Sequence, residues 1–105
     1  MNRIAQEEHL KMFQTRQQQI MLKKGNDYAN EDRLSNFKKV AEICQCRPID
    51  VAMISIAIKV VRLGNLISKG DGVVVENESI TDTLIDLSSY SAIADSILFE
   101  EKKEA

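Results

Sequence analysis

The run PIDVAMISIAIKVVRLGNLIS, residues 48–68, decides how the chain folds. Pro48 at a first helical position, followed by Asp50 in the first turn, starts a helix: proline lacks only an N–H that would be unpaired there, and the carboxylate faces the positive end of the helix dipole. Val51, Met53, Ile54, Ile56, Ile58, Val60, Val61, Leu63 and Ile67 then occupy almost the whole circumference. A helix that is apolar all round is a buried one, so this segment is expected at the centre of the molecule. One side alone breaks the pattern. Ser55, Lys59, Arg62 and, slightly offset, Asn65 follow spacings of four, three and three and share a face, and charges inside a core require partners.

The partners come from downstream. Lys69-Gly70-Asp71-Gly72 has loop chemistry, and Val73-Val74-Val75 is β-prone but too short to make a sheet. A fourth segment is expected from Asn77 or Ser79, where Ser79-Ile80-Thr81-Asp82 resembles a capping box, to about Glu100. Within it Glu78, Asp82 and Asp86 stand at successive i, i+4 steps on one face, where like charges repel and call for a cation. A short connection favours antiparallel packing of the two segments, so the acidic ladder should meet the basic stripe, with Lys59 and Arg62 neutralising Asp82 and Asp86.

Upstream, residues 2–24 carry Ile4, Leu10, Phe13, Ile20 and Met21 at loosely helical spacing around a polar middle, Gln14 to Gln19, and form an outer helix. Gly25-Asn26-Asp27 is expected to stop it, because Gly and Asn accept positive φ. A short amphipathic helix should follow from about Glu31 to Cys44, with Leu34, Phe37, Val40, Ala41 and Cys44 on one face. No alternating β-branched run is long enough for a sheet. The fold class is all-α, a four-helix bundle-like domain with two outer and two central antiparallel helices, core about 24–99 and a fraying tail at 100–105.

With 105 residues, 44% of them hydrophobic, the chain fits a single domain whose buried fraction is modest, and self-association would help complete its core. A net charge of −2 gives no footprint for a nucleic-acid polymer or an anionic membrane. Residues 1–30 lack an apolar run of signal-peptide length, and Val51 to Val61, interrupted by Ser55 and Lys59, is too short to span a bilayer, so the expected location is the cytoplasm. Cys44 and Cys46 with the lone His9 are poor zinc ligands, and both thiols are expected to be reduced and structural.

A further pattern concerns ligands. Arg33-Leu34-Ser35-Asn36-Phe37 is echoed by Arg62-Leu63-Gly64-Asn65-Leu66, and in each the Arg and Asn at i, i+3 share a face. The echo reads either as coincidence and packing, or as two forks of donors offered to one pocket. Tyr28, beside Asp27, and Tyr90, one i+4 step past Asp86, are aromatics that either stack on a base or close the bundle.

Lys24-Gly25-Asn26-Asp27-Tyr28-Ala29, the Arg33 string, Lys59-x-x-Arg62-Leu63-x-Asn65-Leu66 and Glu78-Ser79-Ile80-x-Asp82-Thr83-Leu84-x-Asp86-Leu87-x-x-Tyr90 together resemble the nucleotide-modification-associated domain (type 1) of phage and bacterial proteins. That family is similar, distantly, to the MazG-like all-α nucleotide pyrophosphohydrolases. The resemblance covers about Lys24 to Ala94 and implies an oligomeric helical bundle with a nucleotide-related ligand between helices. One departure matters. MazG-like enzymes hold Mg²⁺ between a Glu-Glu-x-x-Glu helix and a Glu-x-x-Asp helix; Glu78 and Asp82 fit the second, but Lys59, Arg62 and Asn65 stand where the first belongs.

The leading expectation is therefore a nucleotide-binding protein that captures a phosphorylated nucleoside or a nucleotide signalling molecule, in the manner of a phage sponge against a defence messenger in the host cytoplasm. Its ligand-binding residues would be Lys24, Asp27, Tyr28, Arg33, Asn36, Lys59, Arg62, Asn65, Glu78, Asp82, Asp86 and Tyr90, with no required cofactor and no catalytic residue. Two alternatives stand beside it: an Mg²⁺-dependent nucleoside triphosphate pyrophosphohydrolase with Glu78, Asp82 and Asp86 as metal ligands, and a structural helical homo-oligomer held by a buried salt-bridge layer.

Overall fold

A computed structural model describes residues 1–28, 32, 34–69 and 73–104, the side chains of 24–28 and 73–78 excepted. Four helices follow one another: α1 (Arg3–Tyr28), α2 (Ser35–Cys44), α3 (Pro48–Ser68) and α4 (Val73–Glu104). The described residues contain no strand, and the fold is all-α.

α3 and α4 form the central pair. Ala52 of α3 shares a buried cluster with Ile97 of α4, whereas Lys59 meets Asp86; moving forward along α3 is moving backward along α4, so the two are antiparallel. α2 closes the end of this pair. Leu34 is buried with Ala52 and Ile97, and Phe37, Ile49, Ile93 and Ala94 pack around them. α1 packs on α4 through a face carrying Phe13, Gln17, Ile20 and Met21, at helical spacings of four, three and one.

The helix boundaries have local causes. α3 begins at Pro48, as expected, and the Asp50 carboxylate accepts the Arg47 backbone N–H at 3.0 Å and both Nε and Nη2 of its guanidinium at 3.1 and 3.0 Å. That pairing holds the Asp50 carboxyl below the usual carboxylate range. α2 begins at Ser35, later than the sequence suggests, because Asp32 collects the free donors of the first turn. Its side chain accepts the Leu34 N–H at 3.0 Å and its carbonyl the Ser35 N–H at 3.0 Å. Lys38 then joins Asp32 to Glu100, tying α2 to the C-terminal part of α4. α2 ends where Gln45 enters the left-handed region at φ 54° and the Gln45 and Cys46 N–H groups return to the Glu42 and Ala41 carbonyls.

Three other expectations are corrected. α1 passes through Gly25-Asn26-Asp27 to Tyr28. Turn-prone residues cost a helix only about 1 kcal/mol each, less than the ongoing ladder supplies over a long helix. α4 starts at Val73, so the valines are helical and Ser79-Ile80-Thr81-Asp82 lies inside the helix with no capping role; β-branching penalises a helix by a few tenths of a kcal/mol at most. α4 also runs to Glu104, past its expected end near Glu100. Of the expected loop at 69–72, residues 70–72 lie outside the described residues.

The largest correction concerns α3. Ala52 is its only buried residue, and Met53, Ile54, Ile58, Val60, Val61 and Ile67 are each 52–63% exposed. An all-round apolar helix needs neighbours on every side. Among the described residues, the main neighbours that a single copy supplies are α4 and the ten-residue α2, while α1 packs on α4. By length and composition alone, α3 would also be apolar enough to cross a membrane.

Candidate functional site

The acidic ladder of α4 lies between two basic helices. Asp86 meets Lys59 of α3 at 3.0 Å, and this is the least exposed ion pair among the described residues, with side chains 19% and 25% accessible. Asp82, one turn earlier, turns to the other side and accepts Arg16 Nη2 of α1 at 2.6 Å, with both side chains about half exposed. The 40° that separates i and i+4 positions on a helix sends one carboxylate to each neighbour.

The expected pairing of the stripes is thus half met. Lys59 neutralises Asp86, but Asp82 belongs to Arg16 and not to Arg62. Arg62 and Asn65 are exposed, and among the described residues the Arg62 guanidinium makes no hydrogen bond or ion pair. It stands three residues, nearly one turn, beyond Lys59. Ser55 bonds its own helix, donating to the Val51 carbonyl at 3.0 Å, so its place in the polar stripe is satisfied locally.

Tyr90, the next step along α4, packs edge-to-face on Phe37 of α2, ring centroids 6.4 Å apart at 74°. Its ring therefore joins α2 to α4 next to the Lys59–Asp86 level. Asn36, adjacent to Phe37, is exposed on α2. Arg33 lies outside the described residues, as do the side chains of Lys24, Asp27, Tyr28 and Glu78.

Arg16 is the residue that the sequence reading missed. It lies in the polar middle of an outer helix, yet the sequence carries a signal: Met12, Phe13, Gln19 and Ile20 at i±3 and i±4 include no acid, so its charge has no partner on its own helix. Gln17 adds a second polar tie, donating to Ser89 Oγ at 3.3 Å. Ser35, in the first turn of α2, is buried with no partner for its hydroxyl among the described residues.

Asp82 and Asp86 do not suit the Mg²⁺ site that the resemblance implies. Each already carries a side-chain cation, and the described residues hold no group of three His, Cys, Asp or Glu side chains able to bind a metal. Cys44 and Cys46 are free thiols; burial, together with the charges of Cys44 and Asp50, raises the Cys46 thiol, which disfavours the reactive thiolate.

The architecture and these ion pairs define an all-α protein with a mixed-charge junction in which α4 pairs with α1 through Asp82 and with α3 through Asp86. No protein family, curated protein or solved structure matches the chain.

Proposed function

We propose that the chain binds a phosphorylated nucleoside or nucleotide signalling molecule at the face formed by Arg62, Lys59, Asp86 and Tyr90, and holds it without cutting it. The observation that carries this reading is Arg62: a guanidinium without a partner among the described residues, nearly one turn from a lysine already aligned on a carboxylate. A planar fork of donors beside a fixed ammonium suits a phosphate. Asn65, on the same face of α3, offers an amide to a base edge or ribose. The resemblance to the nucleotide-modification-associated domain supports the same ligand class, and a phage sponge for a defence messenger is one biological use of such capture.

Holding is favoured over Mg²⁺-dependent pyrophosphohydrolysis because a metal would have to displace Arg16 from Asp82 and Lys59 from Asp86. Native mass spectrometry of the chain taken from cells, followed by thermal shift against nucleoside triphosphates and cyclic nucleotides, tests the proposal. A bound nucleotide, or a melting temperature raised by one and not by its nucleoside, is the expected result, and Arg62→Met should abolish the rise. Release of pyrophosphate that depends on Mg²⁺ and is lost in Asp82→Ala would transfer the chain to the enzyme reading.

A further inference from the structure

The exposed face of α3 has an order that a single copy does not use. Met53, Ala57, Val60, Gly64 and Ile67 follow spacings of four, three, four and three, so they form one straight seam, with Ile54 and Val61 along one side of it. Gly64 lies in the interior of the helix, where glycine costs helix stability relative to alanine. Nothing among the described residues accounts for it: a Cβ built there meets none of their atoms within 4 Å. Met53, Val60 and Ile67 on the seam, with Ile54 and Val61 beside it, offer roughly 500 Å² of apolar surface, in the upper part of the range for the largest patch on a monomer and more than half of one partner's share of a standard interface.

We infer that this face is covered by the same face of a second copy, α3 packing antiparallel on α3 about a twofold axis near Val60 and Val61. This inference is independent of the ligand. The pattern is self-complementary about that point: Ala57 of one copy falls opposite Gly64 of the other, and Ile54 opposite Ile67. Two small residues in the seam let the helix axes approach closely while the branched side chains interlock beside them. The antiparallel arrangement also opposes the two helix dipoles. Isologous pairing of this kind closes with two copies.

The test uses the full chain. Sedimentation equilibrium from about 1 to about 100 µM should show a monomer–dimer equilibrium. Gly64→Leu, which the open space within one copy accommodates, should raise the dissociation constant at least about tenfold with helical circular dichroism retained. In a background with Cys44 and Cys46 changed to Ser, copies carrying Ala57→Cys mixed with copies carrying Gly64→Cys should cross-link on mild oxidation, and Ala57→Cys alone should not. The cysteine pair still decides the matter if Gly64→Leu fails to fold. The inference is overturned by a monomer across that range, by a dimer indifferent to Gly64→Leu, by efficient Ala57→Cys self-linkage, or by transfer of the chain to phosphatidylcholine vesicles.

Discussion

Changing Asp86 to Asn removes the charge that faces Lys59 while keeping the shape of the side chain. At 3.0 Å, and with an effective dielectric constant near 20, the gross attraction of the pair is roughly 5 kcal/mol. Desolvation of two groups that are about four-fifths and three-quarters covered takes back most of it, leaving a net contribution of about 1 kcal/mol or less. Removing one partner is a different matter. Lys59 keeps its desolvation cost and loses its closest carboxylate, so Asp86→Asn should destabilise by about 2 kcal/mol, below the cost seen for fully buried pairs because water still reaches both side chains. For a domain of this length that is a fall in melting temperature of about 10 °C. The double variant Lys59→Met/Asp86→Leu replaces the pair by apolar groups and should recover most of that loss. Urea denaturation of the wild type, Lys59→Met, Asp86→Leu and the double variant at one fixed concentration gives the cycle, and thermal shift with nucleotides measures binding on the same samples. The double variant should fold well yet bind any nucleotide at least about tenfold more weakly, since Lys59 and Asp86 line the proposed site. Full nucleotide response in a well-folded double variant would refute the assignment of this junction to the ligand, and a loss below about 0.5 kcal/mol for Asp86→Asn would refute the estimate of its burial.

Ile85 is 1% exposed on α4, so Ile85→Ala should cost about 2–4 kcal/mol in urea denaturation, and a loss under 1 kcal/mol would mean that the site is not enclosed. Gln45 sits at φ 54°, a conformation that glycine adopts without penalty, so Gln45→Gly should raise stability by about 0.5–1 kcal/mol; destabilisation would contradict the left-handed end of α2. The Asp50 and Asp32 carboxyls are both held below their ordinary value of 3.8, Asp50 by the Arg47 guanidinium and backbone N–H, Asp32 by the Lys38 ammonium and the Leu34 N–H. A depressed carboxyl contributes stability that is fully present above its unfolded value and disappears as the pH falls through the folded one. Melting temperature should therefore drop as the pH is lowered below about 4, and the drop should be smaller in Asp32→Asn/Asp50→Asn; equal slopes would rule these two groups out as the cause.

What could be read from the chain, and what could not, follows from the range of the forces involved. Pro48 and Asp50 marked the start of α3 to the residue, because capping is settled within one turn. The all-α class and the contact of Lys59 with Asp86 were also legible, the first from periodicity and the second from two stripes on neighbouring antiparallel segments. Local turn signals misled at Gly25-Asn26-Asp27 and at Val73, where a propensity of a few tenths to 1 kcal/mol per residue gave way to continuing a helix.

The sequence by itself determined four helices in order, their central pair and the existence of a charged face on each. Only the tertiary structure decided which charges meet. Arg16, the fourteenth residue of α1, takes Asp82 because α1 packs on α4, a choice made by packing between segments far apart in the chain. The same choice leaves α3 uncovered. Its apolar circumference recorded that it would be surrounded, but composition does not say by what, and one copy of the chain has too few helices to surround it.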